Sequence, residues 1–405
     1  MSQMQKVSLQ NIAEIQTGPF GSQLHKEDYV ENGTPIVTVE HLGERIFSEQ
    51  NLPRVSDDDK ARLKKYVLDE GDIVFSRVGS VDRCSFVDHD HAGWMFSGRC
   101  LRVRPSDKVD PLYLYYFLCL EKTKKTIRSI AVGATMPSIN TKILGELEVS
   151  LPSLEQQRTI SNYLDTLDKK IETNNKIKKN LENQIRNVCK AWLVDFIPFG
   201  GDMPDNWKIH PLSKIANFYT GYSYKGEELR NSEIAMATIK NFDRNGGFKI
   251  NGYKEIRPSD KLKDFQYAEL FDTLVAHTDL TQNAEVIGNA EPILSLSKYE
   301  SIIFSMDLVK VLPKENTVSK FLIAAFLQDK RFKAHCLGYV NGTTVLHLSK
   351  KALPEYYLAL PDNLSVLEPL DNIISNCYKA IANLLSENMK LAEMRDLILS
   401  KMIIS

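Results

Sequence analysis

The chain repeats itself once, and that duplication limits its possible folds more than any other feature. Leu9, Ile12, Ala13, Thr17 and Gly18 return as Leu212, Ile215, Ala216, Thr220 and Gly221 at a constant offset of 203. Val37-Thr38-Val39 faces Ala237-Thr238-Ile239 at an offset of 200. Gly71-Asp72-Ile73-Val74-Phe75-Ser76 faces Phe271-Asp272-Thr273-Leu274-Val275-Ala276 at the same offset. Val103 and Pro105 return as Val311 and Pro313 at 208. At 209, Phe117-Leu118, Gly133, Thr135 and Leu151-Pro152 return as Phe326-Leu327, Gly342, Thr344 and Leu360-Pro361. The order is kept and the offset drifts only through short insertions, whereas chance matches would scatter. Identities are sparse, so the halves share a scaffold and differ on their surfaces.

Each half closes on a helical stretch. In the first, Ile160, Leu164, Leu167, Ile171, Asn174, Lys178, Leu181, Ile185, Val188 and Trp192 alternate by four and three. In the second, Leu370, Ile374, Cys377, Ile381, Leu384, Asn388, Leu391, Arg395, Ile398 and Met402 do the same. These are heptad seams with a few polar interruptions, of which a buried Asn fixes register. The spacing predicts two long helices paired antiparallel, rising on the order of 50 Å between the globular domains. The plainer alternative packs each helix on its own domain. The fold class expected is mixed α+β: two tandem α/β domains separated by two long helices. Its parts are 1–153 and 197–362 as globular domains, and 154–196 and 363–405 as helical segments. The stretch from Phe196 to Pro204 is Pro- and Gly-rich and reads as a connector.

In the globular parts, Ile36-Val37-Thr38-Val39, Ile73-Val74-Phe75-Ser76 and Leu101-Arg102-Val103 read as strands. Pro111 to Ile130 and Lys320 to His335 read as equivalent helices. Lys124, Lys125 and Arg128 cluster late in the first, and Lys330, Arg331 and Lys333 at the matching end of the second. The helix macrodipole favours cations there, and so does a phosphate backbone; their recurrence at equivalent places favours phosphate. Beyond the strands lie candidate reading loops: Ser76, Arg77, Gly79 and Ser80 with Gly133 and Thr135 in the first half. The second half offers His277, Thr278, Thr281, Gln282 and Asn283 with Asn341, Thr343 and Thr344. Glycine with small donors and acceptors suits close approach to a polar polymer and reading of base edges, although ordinary surface turns share this composition.

Composition narrows the remaining options. With 405 residues, 43% hydrophobic and 25% charged, the chain suits a two- or three-domain globular protein. No apolar run is long enough for a bilayer, and the opening Met1-Ser2-Gln3-Met4-Gln5-Lys6 has no signal-peptide core. Six irregularly spaced cysteines without a C-x-x-C pair imply free thiols and a cytoplasmic setting. The net charge of -1 is less basic than usual for a lone nucleic-acid binder and by itself argues mildly against DNA, without excluding a basic face balanced by acidic surface elsewhere. Phosphate-binding loops, zinc-protease and nucleophile-elbow motifs, and the Asn-Pro-Pro-aromatic motif are absent from the sequence. His89-Asp90-His91 could suggest a metal, but it has no counterpart in the second half and reads as a solvated turn.

Several of these segments resemble the specificity subunits of type I restriction–modification systems. They are Thr17-Gly18-Pro19-Phe20-Gly21-Ser22, Glu70 through Arg77, and Gly133-Ala134-Thr135 before Ile139. Most specific is Leu151-Pro152-Ser153-Leu154-Glu155-Gln156-Gln157-Arg158-Thr159-Ile160, which opens the first long helix. The resemblance implies two target-recognition domains on double-stranded DNA, reading a split target, with helices as ruler and docking sites. It implies two modification (methyltransferase) subunits and restriction subunits as partners. S-adenosylmethionine, ATP and magnesium would be bound only there, leaving no cofactor, metal or catalytic residue in this chain and no membrane association. The alternatives are a duplicated protein-binding scaffold without a DNA role and a free-standing nuclease or methyltransferase. The second half departs from the pattern, with Asn363 to Pro369 in place of Glu155-Gln156-Gln157 and Phe271-Asp272 in place of Gly71-Asp72.

Overall fold

The structure, a computed structural model, describes residues 5–133, 135–244, 246–281 and 283–402. The chain forms two compact units. One comprises the chain up to Ile171 together with the stretch from Leu391 onward; the other is Glu172–Lys390. Each contains a globular part and a stretch of both long helices.

The first unit is built on an antiparallel four-stranded sheet, ordered Ala13–Thr17, Cys100–Pro105, Ile73–Ser76, Cys84–Phe86. The second repeats it with Ala216–Thr220, Leu308–Pro313, Thr273–Ala276 and Ala290–Pro292. Even the register is copied: Ala13 faces Pro105 and Ala216 faces Pro313, while Val74 faces Arg102 and Leu274 faces Lys310. Each unit closes its ends with a two-stranded pair, Gln5–Ser8 with Glu148–Leu151 and Trp207–Pro211 with Tyr357–Pro361.

The recurring Thr-Gly has a steric cause. A Cβ at Gly18 would lie 2.2 Å from the Ser97 carbonyl oxygen, and one at Gly221 would lie 2.0 Å from that of Ser305. Neither contact leaves room for a side chain, because the obstacle is backbone.

Each helix expected as one piece is two. Pro111–Cys119 and Glu121–Ile130 break at Leu120, which takes φ -55°, ψ 133° and is buried. Lys320–Leu327 and Lys330–Leu337 break before Asp329, whose side chain caps the second piece by accepting from the Arg331 N–H. At each break the sequence turns from apolar to charged, Glu121-Lys122 after Leu120 and Gln328-Asp329-Lys330 after Leu327, a change that a single helix passing from core to surface would also show.

The long helices are Leu154–Leu193 and Glu368–Met402. None of the described seam side chains is exposed. Within the first unit, Ile160 and Leu164 share a core with Leu399, and the Asp168 carboxylate accepts from Arg395 at 3.0 Å. Within the second, Asn174 donates to Asn388 at 2.9 Å and to Glu387 at 2.8 Å. Ile185 and Cys189 share a core there with Leu370, Ile374, Cys377 and Ile381. In each unit the helices run antiparallel, and the seam's Asn174, Asn388 and Arg395 bond across them, while Lys178 pairs with Glu182 on its own helix.

Gln157 explains part of the Glu-Gln-Gln motif. Its side chain is buried, accepts the Asp110 N–H at 2.9 Å and donates to the Pro152 carbonyl. Asp110 in turn caps the helix from Pro111. In the second unit Ser319 caps the helix from Lys320 and donates to Asp371 at 2.5 Å. The motif is lost there, but a link between long helix and cap is kept by different chemistry.

Candidate nucleic-acid interface

Both units bring their two candidate loops together at one end of the main sheet. In the first, the Ile139 N–H donates to the Arg77 carbonyl at 2.9 Å and the Gly79 N–H to that of Pro137 at 2.8 Å. Val132 and Ser138 pair across the neighbouring turn. Gly133 turns this hairpin at φ +110°, where a Cβ would lie 2.7 Å from the Met136 carbonyl oxygen. In the second, Thr278–Asp279, Leu346–Leu348 and Val340–Asn341 form a small sheet. There Gly342, at φ +107°, does what Gly133 does.

The loops are held from beneath. Ser76 is fully buried and its hydroxyl donates to the Val78 carbonyl at 3.0 Å. Thr278 is buried as well. Both serve the frame rather than the surface. Asp279, also buried, accepts from the N–H groups of Thr281, Val286 and Ile287 and from the Thr281 hydroxyl. Burial alone would raise its pKa, but these hydrogen bonds outweigh it and lower it. Gly79, Ser80, Gly133, Thr135, Asn283, Asn341, Thr343 and Thr344 are exposed, while Arg77, His277 and Thr281 are half-buried. Gln282, and Ala134 of the Gly-Ala-Thr motif, lie outside the described residues. Burial holds the His277 imidazole below its usual pKa, helped by the charges of His347 and Lys350.

The basic clusters are less uniform than the sequence suggested. Arg128 pairs with Asp82 and Glu121. Arg331 pairs with Asp329 at 2.9 Å. Lys333 donates to the Glu285 carbonyl and to Asn289, both at 2.6 Å. These three cations are committed to protein acceptors. Lys125 and Lys330 are exposed and Lys124 half-buried.

Two residues absent from the candidate set belong to these tips. Phe20 is 49% exposed, and the Arg77 guanidinium carbon lies 4.6 Å from its ring centroid. His347 sits between Thr278 and Asn341 as their partner in both ladders. The Gly-Pro-Phe-Gly run was the available signal for Phe20; His347, opposite Thr278 in sequence only through a strand pairing, had none.

Elsewhere, the His89-Asp90-His91 turn is not simply solvated. His91 is 3% exposed, bonds to Asp88 at 2.5 Å and packs edge-on to Phe47 and Trp94. Among the described residues, no group of three or more His, Cys, Asp or Glu is placed to hold a metal ion, and no helix is long and apolar enough to cross a membrane. The six cysteines are free thiols.

Residues 1–183 match the family model described as the type I restriction modification DNA specificity domain. The chain is 23% identical to the type I restriction enzyme MjaIX specificity subunit of Methanocaldococcus jannaschii, over 74% of this chain and 69% of that one. It is 24% identical to the MjaVIII specificity subunit of the same organism over 46% of this chain and 45% of that one. It is 30% identical to the HindI specificity subunit of Haemophilus influenzae over 33% and 30%. The last two matches thus span less than half of those relatives. In fold, it is similar to the type I restriction–modification S subunit from M. genitalium, with a TM-score of 0.57 at 16% identity, covering 99% of this chain and 96% of that one. The first 183 residues thus match a type I specificity domain, and the chain is similar in sequence and fold to specificity subunits of type I restriction–modification systems.

Proposed function

We propose that this chain is the non-catalytic DNA-recognition subunit of a type I restriction–modification complex. Its two globular parts read the two portions of a bipartite, asymmetric double-stranded DNA target. The paired helices set the spacing between those portions and receive two modification subunits, which restriction subunits join. S-adenosylmethionine, ATP and magnesium act in those partners.

One observation carries this reading. The two units keep the same sheet, register and loop-turning glycines, yet present Gly79 and Ser80 beside Arg77 at one tip and Leu280 and Asn283 beside His277 at the other. A common frame with divergent tips is what two different half-sites require, since base contacts specify while the frame only positions.

The test is expression with its modification subunits in a host without methylation, followed by sequencing of the modified adenines. A split, asymmetric motif is the expected result. Deleting seven residues within 165–185 should alter the spacer and keep both half-sites. Altered half-sites with an unchanged spacer would refute the ruler. DNA retention by the modification subunits equal with and without this chain would favour a protein-binding scaffold instead.

A further inference from the structure

The tip of the first unit holds a large apolar side chain that the packing of that unit does not need. Phe20 is half exposed beside a polar loop. Its position is nonetheless rigidly set. Gly18 touches the Ser97 carbonyl, and a Cβ on Gly98 would lie 2.4 Å from the Pro19 carbonyl oxygen and 3.3 Å from the Phe20 ring. The 18–20 turn is therefore locked against the 97–98 turn by backbone contacts.

Arg77 is caught between these two turns. Its guanidinium carbon lies 4.6 Å from the Phe20 ring centroid, and Nη1 donates to the Gly98 carbonyl at 3.2 Å. A ring beneath and an acceptor at one corner fix a planar group in both tilt and rotation. The Nε and Nη2 donors have no acceptor among the described residues. In the second unit Ser223 stands at the offset of Phe20 and His277 at that of Arg77, so the ring and the fork are both replaced.

We infer that Phe20 and Arg77 form one guanine-reading unit, in which Arg77 donates two parallel N–H bonds to O6 and N7 of a guanine in the major groove. Phe20 is a positioning residue that holds the fork in that orientation. A forked donor with one edge engaged by protein matches the two acceptors of guanine, a pattern no other base edge offers. This rests on the reading of the tips as DNA-contacting surfaces.

The experiment uses the assembled complex with its modification subunits and a target whose sequence is known from methylation mapping. Each guanine of both half-sites is replaced in turn by 7-deazaguanine, which lacks only the N7 acceptor. In the wild-type complex one position should reduce the methylation rate roughly 10–100-fold, the discrimination of a bidentate contact. Arg77→Ala and Arg77→Lys should both slow methylation of the normal target, relax the preference at that same position and abolish the 7-deazaguanine effect. Phe20→Ala and Phe20→Leu should shrink the effect to a few-fold, and Phe20→Tyr should restore it. If Arg77→Ala relaxes a position that is not a guanine, the tip reads DNA but the guanine assignment is wrong. If the Phe20 variants keep the full effect, the positioning role is wrong. If Arg77→Ala changes neither rate nor preference, the tip itself is not a reading surface.

Discussion

The first unit enters its inner strand through Gly71 at φ +92°, and the second enters the matching strand through Phe271 at φ +70°. A left-handed phenylalanine is costly, but its ring packs 5.0 Å from Phe321. The same rung of the two sheets carries Arg102 in one unit and Lys310 in the other, both buried. Arg102 donates to Glu14 and to the Lys65 carbonyl; Lys310 donates to the Tyr267 carbonyl and lies 5.6 Å from the rings of Tyr219 and Phe304. One strand further, Ser85 faces Val74 while Glu291 faces Leu274. Each accepts a backbone N–H from a glycine in a distant loop, Gly43 at 3.2 Å and Gly247 at 2.6 Å. The units thus exchange side chains where the substitute still bonds to backbone of its own unit. At Gly18 and Gly221, where backbone touches backbone, nothing has been exchanged.

The largest effect should come from breaking that second class. Gly18→Ala and Gly221→Ala place a methyl about 2 Å from a carbonyl oxygen that cannot move aside. Each should cost more than about 4 kcal/mol, the range reserved for severe steric conflict. Gly79→Ala is the contrast, since φ is +80° but nothing lies within 4 Å of the new methyl. It should cost only about 1–2 kcal/mol of backbone strain. Urea unfolding of the three variants reads this directly. A Gly18→Ala protein as stable as Gly79→Ala would mean the 18–97 contact relaxes easily.

A second comparison lies along the helices. In the first unit Asp168, 5% exposed, accepts from the Tyr116 hydroxyl at 2.8 Å and from Arg395 at 3.0 Å. In the second, Asn174 is fully buried, and its side-chain amide donates across the pair while its own carbonyl oxygen has no partner. Asp168→Ala leaves the buried Tyr116 hydroxyl without its acceptor and takes one of two carboxylates from Arg395, which keeps Asp396, and should cost about 2–3 kcal/mol. Asn174→Ala removes an amide that was only half satisfied and should cost about 1 kcal/mol. Equal losses would show that the two polar links across the helix pair are equivalent after all.

Much of this frame was legible. The heptad alternation located both long helices, because burial on one face leaves a periodic record. The repeat located the equivalent strands and the loop pairs. Leu120 was not legible as a break, because the turn from the apolar stretch 113–120 to the charged stretch 121–125 equally suits one helix passing from core to surface. Nor was the inward direction of Ser76 and Thr278, since a small hydroxyl residue suits a surface turn and a buried bond to a carbonyl equally. The cation clusters read as alike in sequence, yet Arg128 and Arg331 have acids within reach that only the folded chain or a neighbouring cap supplies.

The exchange of Ser85 for Glu291 gives the two units different responses to pH. Burial holds the Glu291 carboxyl up at about 7, against the opposing effect of the Gly247 N–H and the Gln328 amide that donate to it. Its ordinary value is 4.5. A carboxyl with a raised folded-state pKa binds its proton more tightly when folded. Its favourable contribution is therefore complete below pH 4.5 and is lost as pH rises through about 7. Across that window the loss is on the order of 2–3 kcal/mol, from 1.36 kcal/mol per pKa unit. Glu291→Gln keeps the shape and cannot ionise. Its stability relative to wild type should rise steadily from pH 5 to pH 8, read as a growing separation of the urea midpoints. Ser85→Ala, at the matching rung, should lower stability by about 1 kcal/mol at every pH in that range. Parallel pH profiles for wild type and Glu291→Gln would show that the carboxyl is ionised in the folded state throughout and that its buried bonds outweigh desolvation.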